Sequence, residues 1–312
     1  MSATVKTAVS AVAFAVASMS GAQAAVLNLD GYIGGANVFS FSDFKAPSAD
    51  VQGAIMAGGN VDVSHYTTNL NNKDAYGHYS MIAGGTVNYN GGNIYNGDIY
   101  AAGGATLSQG VKSPGYAVES GAAPINMSAL AAGLRNTSTE LAAIATTSAA
   151  EKKWGGIYIT GSNKSVEVID VDASWLTGST YYNISGMAAG ATLIVNVTGG
   201  SALLTGGYQA FDNYNTLFNF VDATALNIST GANISILAPK AAVNGGQGVI
   251  DGTVIVKSWN SMTQINSTNA FVSTEVQGLI TAVPEADTYA MLLGGLGLVG
   301  FIARRRKQVA AR

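Results

Sequence analysis

A mainly β chain, folded as a right-handed parallel β-solenoid with one long α-helix packed along its side, follows from three features of this sequence. Between Gly53 and Leu107 the same phrase occurs three times: an apolar residue, an Ala-Gly-Gly or near relative, then a short alternating run, at residues 55–63, 82–89 and 99–107. The glycine pairs recur at spacings of 26 and 19 residues, the length of one turn of a coil in which each strand stacks on its predecessor. After Trp154 the chain breaks into short runs rich in Val, Ile, Thr and Tyr, punctuated by Gly or Asn, which is the composition of further strands. Between them, residues 126–150 change to a helical period. The hand follows from the near-universal right-handedness of parallel crossovers.

Residues 1–24 have the order of a secretory signal peptide: Lys6 as the positive start, an apolar run over 8–19, and Ala22-Gln23-Ala24 as the small-residue cleavage pattern. The mature chain is expected to begin at Ala25, and the partners this implies are the export machinery and signal peptidase. At the other end an apolar, Gly-rich run of 15 residues, 289–303, is followed at once by Arg304, Arg305, Arg306 and Lys307. The run is shorter than the roughly 20 residues that span a bilayer comfortably, so it fits a transient transmembrane segment, with 304–312 as a basic cytoplasmic tail. Just before it stand Val283, Pro284 and Glu285. Pro-Glu, short apolar segment and Arg cluster together resemble the PEP-CTERM sorting tail of Gram-negative bacteria. That resemblance implies processing by an exosortase and a final place at the cell surface or in the extracellular matrix. Ala286 stands where the pattern usually has a second proline.

Without both terminal segments, residues 25–284 hold 9 basic and 16 acidic groups, a net charge of −7, with Arg135 as the one arginine. Such a body is unsuited to neutralising phosphates, so nucleic acid is not an expected partner. The absence of cysteine from an exported chain excludes disulfide staples and thiolate zinc, leaving packing to supply stability. About 260 residues suffice for one sizeable core.

Taken in order, Asn37 to Phe44 alternates polar and apolar and reads as one half-buried strand, with a turn over 46–50. The run Asn37-Val38-Phe39-Ser40-Phe41-Ser42-Asp43-Phe44, followed by 48–53 and Ala57-Gly58-Gly59-Asn60-Val61, resembles the opening of the choice-of-anchor A domain. Members of that family share one extracellular domain and differ in their attachment tail, and the resemblance extends through 218–228, 235–241 and 250–255 over the domain at 25–275. A helix-flanked solenoid is also similar to a family of bacterial ice-binding proteins. Residues 71–79 form a polar loop; His65, His78 and Asp74 are too few and too scattered for a metal site, so no metal and no cofactor is expected. Among the tyrosines of this region, Tyr66, Tyr76, Tyr79 and Tyr89 read either as turn fillers or as a stacking platform for sugar rings or a partner protein.

Ser128 is the candidate N-cap of the helix, and Leu130, Leu134, Leu141 and Ile144 share one face. At ~1.5 Å per residue the helix would run roughly 33 Å, the depth of about seven strands stacked at ~4.8 Å, and would cover an apolar flank. A last strand is expected at 271–276, then a linker over 276–288.

No nucleophile elbow, Walker loop or zinc-protease motif occurs. The best paired carboxylates are Asp170 and Asp172, two apart on one strand face, with Glu167 on the other; alternation alone accounts for them. The expected function is therefore non-enzymatic: a structural or adhesive surface protein associated with exopolysaccharide, biofilm or another surface protein through a flat face of Asn, Ser, Thr and Tyr. The alternatives are ice binding, against which stands the lack of a regular Thr-x-Thr ladder, and a polysaccharide-active enzyme.

Overall fold

The computed structural model describes residues 24–280. Parallel pairing joins twenty of its strands into one sheet system. The strands fall into three columns that the chain visits in turn. Residues 38–40 lie in the first, 44–46 in the second and 49–51 in the third; 55–57 then pairs in register with 38–40, 61–63 with 44–46 and 66–68 with 49–51. Apolar side chains point alternately into the space between the columns, where Val38, Phe44, Val61, Tyr66, Phe218 and Trp259 are wholly buried. The expected single strand over 37–44 is thus two strands, Val38–Ser40 and Phe44–Ala46, with a corner between them.

The Ala-Gly-Gly repeat marks these corners. A Cβ on Gly84 would lie 2.4 Å from the Gly58 carbonyl oxygen, and one on Gly58 would lie 2.4 Å from that of Phe41. Successive turns approach backbone to backbone there, which only glycine permits. The uneven 26- and 19-residue spacing arises because the polar loop after Thr68 lengthens one turn and not the next.

The order of turns departs from simple succession. From one end of the first column to the other the strands run Val118–Glu119, Asp98–Ala101, Tyr79–Ala83, Ile55–Ala57, Val38–Ser40, Val254–Asn260, Ser235–Asn244, Asn215–Phe220, Thr192–Thr198 and Val166–Asp172. The chain therefore begins in the middle, builds outward to 118–119, crosses to the far end, and returns until its last turn meets its first at Val38↔Val254.

The helix makes the crossing. Three helices are described: α1 Leu29–Tyr32, α2 Met127–Ala143 and α3 Ala173–Thr177. The expected helix to Ala150 is overturned, since α2 ends at Ala143 and Ala149–Lys153 is a strand. Its cap is Asn126, whose Oδ1 accepts from the Ala129 N–H at 3.0 Å, and the Ser128 hydroxyl bonds the same oxygen. Seventeen residues extend about 25 Å, close to five strand steps of ~4.8 Å rather than seven. The contacts follow that count: Arg135 lies over the Phe41 ring, Ser138 bonds Asn219, the Leu141 carbonyl accepts from Asn196, and Thr147 accepts from the Val168 N–H.

Beneath α2 the outward side chains of the first column form a second core. Phe39, Met56, Ile82, Ile194, Leu217 and Ile255 pack with Leu134 and Leu141 of α2 and with Leu29 and Tyr32 of α1. Two short strands, Ala24–Leu27 and Thr274–Gln277, pair antiparallel against the same core, so 276–277 belongs to a strand rather than to a linker. The first column is closed to solvent along much of its length.

Candidate functional site

The second column has no such cover. Seven steps of register place Leu203, Asn227, Asn244, Asn260, Lys45, Asp62, Asn88 and Thr106 in one outward rank. Their neighbours along each strand, such as Val243, Trp259, Phe44, Val61 and Val87, point inward and are buried. Period-two alternation therefore makes the rank, and burial of the inner set fixes it. At ~4.8 Å per step it is about 34 Å long. Asn88 donates to Asp62 Oδ1 at 3.0 Å and Asn227 to the Asn244 carbonyl at 2.9 Å, so parts of the rank brace one another. A second line of polar groups runs beside it, where the Ser108 hydroxyl donates to Asn90 Oδ1 at 3.0 Å. The result is a narrow, regular surface in which four asparagine amides, Lys45, Asp62 and one threonine follow Leu203 along the main rank. Among the described residues no threonine ladder forms beside it: Thr192 and Thr253 are buried, and Thr198, Thr205 and Thr224 lie outside this rank.

The tyrosines do not make one platform. Tyr66 and Tyr89 are inside the main core, where the Tyr89 hydroxyl donates to the Tyr66 carbonyl at 2.7 Å; neither ring can stack on a ligand, which corrects that reading. Burial pushes both phenols far above their ordinary range. Tyr79 is almost wholly covered, and burial together with the Glu119 carboxylate raises its pKa to about 12. Tyr76 alone of the four is exposed, on the polar loop with φ of 48°.

An aromatic cluster does exist elsewhere. Strands Ala149–Lys153 and Gly156–Thr160 form a hairpin whose two loop residues, Trp154 and Gly155, have φ of 51° and 77°. Positive φ at both positions is the turn that matches strand twist, and it costs a tryptophan strain that glycine would not bear. It also thrusts the indole into solvent, 79% exposed. Tyr158 stands edge-on to it at 5.6 Å, Tyr181 bonds the Tyr158 hydroxyl at 2.6 Å, and the Lys153 ammonium sits 4.7 Å from the Tyr158 ring. Trp154-Gly155-Gly156 just before the strand-like run 157–160 was the sequence signal for this turn.

The paired carboxylates take separate structural parts. Asp172 caps α3 by accepting from the Ser174 N–H at 2.8 Å, and Asp170 accepts from Asn196 at 3.3 Å. Glu167 is buried and accepts from the Ser148, Thr147 and Ser162 hydroxyls and the Ser162 and Lys164 amides. Burial alone would raise its pKa; the hydrogen bonds outweigh that and hold it at about 2. A group so committed to its ionised form is not poised to exchange a proton near neutrality. An open cleft of about 760 Å³ is lined by Asp30, Lys73 and Asp74 among others, but Lys73 is bonded to the Ser267 carbonyl and Asp74 to Asn69. His65 is exposed with φ of 49°. His78, Asp98 and Glu119, on the last three turns at one end of the stack, have ligand atoms that all lie within 4.8 Å of one another.

Ala24 and Ala25 of the expected cleavage site lie in the strand Ala24–Leu27, whereas Ala22 lies outside the described residues. So do Val283, Pro284 and Glu285, and the cluster Arg304, Arg305, Arg306 and Lys307. No helix among the described residues is long and apolar enough to cross a membrane.

The body is thus covered on one side, polar and ordered on another, and carries a projecting aromatic turn. The chain belongs to the family whose model is described as "Putative Ice-binding-like adhesive domain", matched over residues 30–267. A PEP-CTERM protein-sorting motif matches residues 282–307, which makes it an exported, cell-surface type of protein and implies exosortase-like processing. No curated protein and no solved structure matches the chain.

Proposed function

We propose that this is a non-enzymatic adhesive protein of the bacterial envelope or matrix, in which the three columns close into a right-handed β-solenoid that presents the open rank to exopolysaccharide. The observation that carries the reading is that rank itself: a regular line about 34 Å long, made mostly of asparagine amides with Lys45, Asp62 and Thr106 among them, left bare while the first column is sealed by α2. Spaced polar groups on a rigid sheet suit the repeating hydroxyls of an extended glycan, and Trp154 with Tyr158 supplies a face on which a sugar ring can stack. The choice-of-anchor A resemblance fits the same arrangement, one extracellular body with an exchangeable tail. The proposed limits are a signal peptide at 1–24, the domain from 25 through the strand that ends at Gln277, a short apolar membrane segment at 289–303 and a basic tail at 304–312, the membrane stage being transient.

Co-sedimentation of the protein with exopolysaccharide from its host tests this. Binding should fall at least about tenfold when Asn88, Asn244 and Asn260 are all changed to Glu, as expected if a handful of central contacts dominate an interface. Unchanged binding in that triple variant would remove the rank from the site.

The family description favours ice binding as a second reading. Thermal hysteresis at micromolar protein, abolished by the same triple change, would place ice above glycan.

A further inference from the structure

We propose that His78, Asp98 and Glu119 form a divalent cation site, with Zn²⁺ as the best-suited ion, that fastens the end turn of the first column. The inference is independent of the adhesive reading. The imidazole nitrogen and the two carboxylate oxygens lie within 4.8 Å of one another, so side-chain rotations that carry each atom up to about 0.7 Å inward bring all three to the ~2.0–2.2 Å reach of one ion. They come from three separate segments: the end of the polar loop, the start of Asp98–Ala101, and the two-residue strand Val118–Glu119.

Each ligand is already oriented by a neighbour. The Ala117 N–H donates to one Asp98 oxygen at 2.6 Å, and the Tyr79 hydroxyl donates to Glu119 Oε2 at 2.9 Å. The His78 ring lies 3.9 Å, centroid to centroid, from that of Tyr79, while its carbonyl accepts from the Asp98 N–H at 2.7 Å. Supporting bonds of this kind are what hold metal ligands in place.

Charge points the same way. Two carboxylates share this rim, and the ion pairs of the described residues are Lys153–Glu151 and Lys240–Asp222, neither of which reaches them. A divalent ion would cancel the repulsion. One nitrogen and two oxygens select an imidazole-binding ion such as Zn²⁺ over Ca²⁺, which takes six to eight oxygens. Three protein ligands leave a position for water. The sequence reading missed the set because Asp98 and Glu119 are 20 and 41 residues beyond His78 and meet it only through stacking of turns.

The test is calorimetric titration of the full chain, stripped with chelator, with Zn²⁺ and separately with Ca²⁺. One Zn²⁺ per chain is expected, with Ca²⁺ far weaker. The double change Asp98→Asn with Glu119→Gln should abolish the event, and Tyr79→Phe, which keeps the ring and loses only the orienting hydroxyl, should weaken it about tenfold. If the double variant does not fold, His78→Ala on the exposed loop must give the same loss. Absence of saturable Zn²⁺ binding, equal affinity in these variants, or a preference for Ca²⁺ that survives His78→Ala would overturn the site.

Discussion

Glu167 is the residue whose environment makes the firmest demand on pH. Its folded pKa of about 2 lies below the ordinary 4.5, so folding favours the ionised form. The resulting stability is complete above about pH 4.5 and is lost as the pH falls through about 2; its size is roughly 3 kcal/mol at most. Glu167→Gln should lower stability at pH 7 by about 2 kcal/mol and flatten the stability profile over that acid interval, as read by denaturant unfolding at a series of pH values. Tyr66 argues the other way. Its hydroxyl is buried and makes no hydrogen bond, so Tyr66→Phe removes a desolvated group while keeping the ring beside Phe44. A gain of about 1 kcal/mol is expected, a rise of roughly 2–4 °C in melting temperature. The alternation around residue 167 put Glu167 opposite Asp170 correctly. Its donors were not readable, because Thr147, Ser148 and Ser162 reach it from segments whose course the local pattern does not specify.

Among the elements, α2 shows how far periodicity carries. Leu134 and Leu141 were placed on the apolar face from spacing alone, and both are wholly buried. The end of the helix was misjudged because the alanines at 145, 149 and 150 were weighed above Thr146, Thr147 and Ser148, which favour helix poorly; Ile144 is already extended with ψ of 133° and the chain turns to pair with Gly156–Thr160. Leu134→Ala should cost about 2–5 kcal/mol, seen as a lower denaturant midpoint. Asn219 is as important to the dock: it takes the Ser138 hydroxyl, gives to the Ser138 carbonyl, and passes a further bond to Asn196. The corner glycines were legible as a repeat, and their reason is the backbone of the adjoining turn. Gly84→Ala should therefore destabilise by about 1–3 kcal/mol, although the residue is exposed to solvent.

For the whole molecule, the three-part repeat foretold stacked parallel strands, but nothing local could foretell that the first turn joins the last. That junction depends on which of two sheet edges Val38–Ser40 meets, and both offer similar alternating surfaces. One consequence is measurable: the middle of the described chain forms the outer ends of the stack, and its first and last turns meet at the centre. Hydrogen exchange should be slowest at 38–40 and 254–256 and fastest at 105–119 and 149–153, the reverse of a stack built in chain order. A second consequence concerns the ribbon of Ala24–Leu27 and Thr274–Gln277, from which the described chain leaves toward the sorting motif at 282. Traction through that tail first meets the Ile280 N–H bond to Glu140 and the buried Leu279, then the Gln277–Ala24 pair, outermost in the ribbon. Load would thus open the ribbon like a zipper, pair by pair, instead of shearing the long columns all at once. If the sorting tail tethers the protein as proposed above, the ribbon is a mechanical fuse between leash and body, yielding first while the stacked columns stay rigid.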